Sequence, residues 1–153
     1  MYELVLTLHS WIRWIAILAG IVATLTVLTS TPRSASADRS DTWGLILMIA
    51  LDLQMLLGLL LYLALSPTTQ AIFQDFGGAM RDPVARFWAV EHVSVMIIAV
   101  VLGHLGRVLG RKATTPAARR TRQIICFGLS TALMIVGTPW PGMRAGRDLF
   151  RFG

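Results

Sequence analysis

Charge is scarce in this chain: Asp, Glu, Lys and Arg make up only 14% of its 153 residues. A soluble domain carries roughly 25%, because its surface must be solvated. That shortage excludes a soluble enzyme. Cysteine is scarcer still. Cys126 stands alone, so there is no internal disulfide, no paired-cysteine metal site and no thioether attachment of a haem. Neither a Ser-His-Asp arrangement nor a hydrolytic metal-ligand spacing is present, and no internal repeat divides the chain.

What the sequence has instead is hydrocarbon. Residues of the apolar set reach 55%, and mean hydropathy is +0.65. They are blocked into four runs, at 5–28, 43–65, 87–106 and 124–143. About 20 apolar residues at 1.5 Å rise match the roughly 30 Å hydrocarbon core of a bilayer. The pattern predicts an all-α protein: one integral membrane domain over 1–153, a four-helix transmembrane bundle running up-down-up-down. Helices are expected over about 4–29, 43–65, 87–106 and 124–143.

The segments between the runs set the boundaries. Ser30-Thr31-Pro32 ends the first helix, and the polar stretch Ser34 to Asp41 reads as a loop with Asp41 as N-cap of the second. Ser34-Ala35-Ser36-Ala37 has the small residues of a cleavage site. Glu3, with no basic residue before Arg13, argues instead for a retained helix. The connection after Ser66-Pro67 spans about twenty residues, which suits a partly structured cap. The Arg107 to Arg122 loop holds six basic residues and no acid.

A formal charge of +6 does not point to nucleic acid, because basic residues of a membrane protein collect in loops that meet lipid headgroups. Loops after helices 1 and 3 carry eight Lys or Arg against five on the other side. The positive-inside rule then puts both termini outside the cytoplasm.

Ionisable side chains within a span are costly, so each is a functional candidate. They are His9, Arg13, Asp52, Glu91, His92 and His104. His9 follows Leu4 by five residues and His92 follows Phe87 by five, which sets both roughly 7–8 Å below one boundary. On diagonal helices of a bundle, two imidazoles at one depth are suited to ligate the iron of a b-type haem. Arg13, one turn from His9, is placed to meet a haem propionate or Glu91. The same four residues also read as a purely structural polar network. His104 lies twelve residues from His92, about 120° off its face, and is the weaker ligand candidate, expected at headgroup level beside Arg107. Asp52, beside Gln54 in mid-helix, must be neutral or paired, with Arg13 the nearest cation by depth.

These residues resemble a group of small bacterial four-helix integral membrane proteins labelled cytochrome b-like. The likeness rests on His9-Ser10-x-x-Arg13-Trp14, Asp52-Leu53-Gln54, Leu57-Gly58-Leu59, Tyr62, Arg86-Phe87, Glu91-His92 and Pro139-Trp140-Pro141. It implies haem b held by His9 and His92, electron transfer in a bacterial cytoplasmic membrane, and a respiratory or quinol-linked complex as partner. A non-catalytic structural or assembly subunit without cofactor is the alternative. A transporter using Asp52 has less in its favour, since no span is broken and no halves are paired.

Overall fold

The computed structural model describes residues 1–30 and 36–150. Among these every regular element is helical. Helix α1 spans Tyr2–Thr29 and stops where Ser30 turns extended. Helix α2 spans Ser36–Leu60 and continues as a π-helical turn, Leu61–Leu65. Three short helices follow: α3 (Pro67–Gln74), α4 (Phe76–Ala79) and α5 (Pro83–Arg86). A second π-helical turn, Phe87–Glu91, leads into α6 (His92–Arg111). Helix α7 spans Pro116–Gly137.

Three segments are long and apolar enough to cross a membrane: Tyr2–Thr29, Asp41–Leu65 and Pro83–Arg111. The chain is thus an all-helical protein with the features of an integral membrane protein. Helix α7 differs from the expected 124–143. It begins eight residues earlier, because Thr115 accepts a hydrogen bond from Ala118 N and Pro116 occupies the first turn, a strong start signal. Its first turns therefore carry Arg119, Arg120 and Arg122. It ends at Gly137, ahead of Pro139 and Pro141. The expected Asp41 cap is also corrected: α2 already runs from Ser36, and Asp41 instead sits 3.5 Å from Arg107 and 3.7 Å from Arg111. The part of the expected loop at 31–35 lies outside the described residues.

Helix α1 packs on α2 and α7, and α6 packs on the same two. Packing follows membrane rules, with small residues inside and large ones outside. On α1 the buried positions include Ala16, Ala19, Gly20 and Ala23, while Leu4, Leu8, Ile15, Leu18 and Leu25 are exposed. Phe127 of α7 is fully buried and fills the centre. Its ring needs glycine opposite: a Cβ on Gly106 would lie 2.6 Å from it. Ser130 donates to the Ala99 carbonyl at 2.7 Å and bonds α7 to α6.

The expected structured connection is α3 to α5. Ser66, Asp75 and Asp82 cap its helices through their side chains. Tyr62 donates to the Ala89 carbonyl at 2.6 Å, which joins the two π turns at this end of the molecule.

Candidate functional site

A cavity of about 140 Å³ lies at that end, walled by α1, α2, α6, α7, the π turns and the segment after α7. Its lining is largely apolar, with Leu6, Met55, Val93, Met96 and Met134 among its residues. Polar groups converge on it from separate elements. His9 and Arg13 come from α1, Gln54 from α2, Tyr62 from the first π turn, His92 from α6 and Arg147 from the chain end.

His9 and His92 therefore face one space, and each lies within electrostatic reach of Arg13. The two rings are held differently. Nδ1 of His92 lies 2.8 Å from the Gly137 carbonyl oxygen. A carbonyl only accepts, so Nδ1 carries the proton and Nε2 of the neutral ring keeps its lone pair. Trp88 packs beside this ring at 5.6 Å between centroids. His9 lies against Gly58 of α2, where a Cβ would come within 3.2 Å of its Cε1, and beside the backbone of Gln54. Its Nδ1 is buried without a hydrogen-bond partner among the described residues.

His9 is not alone in that. Nε of Arg13 and Oε1 of Gln54 are also buried and unpartnered among the described residues, and both side chains line the cavity. Buried polar groups are nearly always hydrogen-bonded, and each exception calls for an explanation. Three such atoms thus belong to side chains that line one space.

The chain end closes the site. Arg13 Nη2 donates to the Leu149 carbonyl at 2.7 Å, and Trp14 Nε1 donates to the same oxygen at 3.2 Å. Phe150 stacks on Trp14 with centroids 5.5 Å apart, and Arg147 lies 4.5 Å over the Trp88 ring. Trp14 and Trp88 thus hold residues 147–150 in place. Arg147 was not among the candidates read from the sequence, since an arginine beyond the last apolar run carries no signal of folding back.

Three expected pairings are not formed. Glu91 does not meet Arg13. Its carboxylate takes Arg86 at 2.7 Å on the exposed side of the helix. His92 lines the cavity while its neighbour faces out, since successive helix residues stand about 100° apart. Asp52 does not meet Arg13 either, but lies 3.3 Å from Nε2 of His104. His104, expected beside Arg107, instead spends its ring on Asp52 and on the Val100 carbonyl, 3.0 Å from Nδ1. Of Glu91, Asp52 and Gln54, only Gln54 lines the cavity.

Among the described residues, no group of three or more His, Cys, Asp or Glu side chains could hold a bare metal ion. Comparison with protein-family models, with curated proteins and with solved structures finds no match.

Proposed function

We propose that the chain is a small haem b-binding membrane protein that takes part in electron transfer. In this reading α7 is the fourth span of an up-down-up-down transmembrane bundle. Both termini lie outside the cytoplasm of a bacterial cell, and neighbouring subunits of a respiratory or quinol-linked complex, or a quinone, exchange electrons with it.

The observation that carries the reading is the pairing of His9 and His92 across one apolar cavity. The residues fit the group. A histidine ligand commonly donates its second ring nitrogen to a carbonyl, which fixes tautomer and orientation, as His92 does with Gly137. His9 offers a buried, unspent ring nitrogen. When bound, haem b supplies a one-electron iron couple. The protein's part is to hold two neutral imidazoles toward that space, exclude water with Leu6, Met55, Met96 and Met134, and place Arg13 and Arg147 where carboxylates need cations. A purely structural polar network accounts less well for the same residues, because such a network would satisfy its own donors and acceptors.

The test is the colour of the full-length chain purified from haem-supplemented cells. A Soret band with sharp reduced α-bands is expected. His9→Ala and His92→Ala each abolish the low-spin spectrum, and His104→Ala leaves it intact. A colourless protein that is otherwise folded overturns the proposal.

A further inference from the structure

The Asp52–His104 pair lies apart from the cavity, and its position is unusual. Asp52 falls at the middle of the Asp41–Leu65 span. The side chains of Asp52 and His104 are 52% and 39% exposed, on the outer side of the seam between α2 and α6. Around them stand exposed apolar side chains: Ile49, Leu53 and Leu56 on α2, and Val101, Leu105 and Val108 on α6. Ionisable groups at this depth almost always face protein or water rather than lipid tails.

The chemistry of the pair limits what covers it. Nδ1 of His104 donates to the Val100 carbonyl, which leaves Nε2 turned to Asp52 Oδ1. The pair therefore sets a carboxyl group on the α2 side of the seam and an imidazole on the α6 side. We propose that a second copy of this chain covers the seam, forming a two-fold dimer. The proposal rests on the membrane reading and not on a cofactor.

The geometry selects the second copy. Both chains insert with the same orientation, so the two-fold axis runs along the membrane normal. Rotation about it sets α2 of one protomer against α6 of the other. Asp52 and His104 touch and so share one depth. Each Asp52 then lies opposite the partner's His104, and the two pairs run antiparallel. This is the self-complementarity an isologous contact demands. The apolar rim gains matching side chains.

The experiment measures energy transfer between two populations of the full chain. Each carries Cys126→Ser and is labelled at Thr114→Cys, in phosphatidylethanolamine/phosphatidylglycerol vesicles diluted progressively with lipid. Transfer in the otherwise native chain should persist on dilution. Interhelical polar contacts in membranes are worth about 1–2 kcal/mol, so Asp52→Leu or His104→Leu should weaken dimerisation about tenfold. The exchanged chain, Asp52→His with His104→Asp, keeps the antiparallel arrangement and should restore it. Leu56→Trp alters only the outward face and should disrupt transfer, whereas Leu18→Trp on the exposed face of α1 should not. Transfer that falls to the random level on dilution in the native chain overturns the proposal. So does transfer that Leu56→Trp leaves unchanged.

Discussion

Nδ1 of His92 and the carbonyl oxygen of Gly137 stand 2.8 Å apart, so the ring is aimed by the last residue of the facing helix. That contact depends on how closely α6 and α7 approach. A Cβ on Gly137 would collide with Met96 Cε and lie 2.8 Å from Val95 Cγ1. Gly137→Val is therefore expected to destabilise by about 1–3 kcal/mol, the usual cost of overpacking, and to loosen His92. Thermal unfolding in one detergent checks the first effect, and haem absorbance per folded protein the second.

His9 has a similar dependence on Gly58. A Cβ there would sit 3.2 Å from Cε1 of the ring, so Gly58→Val must turn the imidazole aside. On the proposed haem reading, haem content should fall severalfold while helical content by circular dichroism is kept. Unchanged haem absorbance would show that His9 is not held by this contact.

Arg13 fastens the chain end through its hydrogen bond to the Leu149 carbonyl. A hydrogen bond from a charged donor contributes about 1.5–3 kcal/mol when formed. Arg13→Gln should accordingly raise amide hydrogen exchange around 147–150 by about tenfold or more, with exchange in α2 unaffected. Equal protection in both proteins would mean that Trp14 and Phe150 hold this segment by themselves.

Glu91 pairs with Arg86 where both side chains are nearly half exposed. Such a pair is worth at most about 1 kcal/mol. Glu91→Gln should therefore shift stability by less than that and leave any haem spectrum unchanged. A loss of several kcal/mol would place Glu91 in a buried network after all.

Some of the site could be read before folding and some could not. His9 and His92 were legible as partners because equal distance from a helix start becomes equal depth at a fixed rise per residue. The 120° offset likewise separated His104 from His92. Glu91 was misplaced because rough nearness in depth to Arg13 does not say which side of the helix it occupies, and it turned to Arg86 instead. Asp52 was given the wrong partner because depth alone cannot say which side of a helix a residue occupies. Arg147 was invisible because its position depends on Trp88, Trp14 and Phe150 meeting in space.

The amino-acid sequence by itself determined the class of this protein: helical, apolar, and built from segments as long as a bilayer is thick. That outcome is local, since in hydrocarbon each segment must satisfy its own backbone hydrogen bonds and a helix is the way a single segment does so. Only the tertiary structure decided which side chains share a space. His9 meets the cavity of His92, Asp52 turns outward to His104, Glu91 goes to Arg86, and the chain end returns to Arg13. Those choices depend on the rotation and approach of whole helices, which glycine contacts such as Gly106 on Phe127 fix and which no single segment encodes.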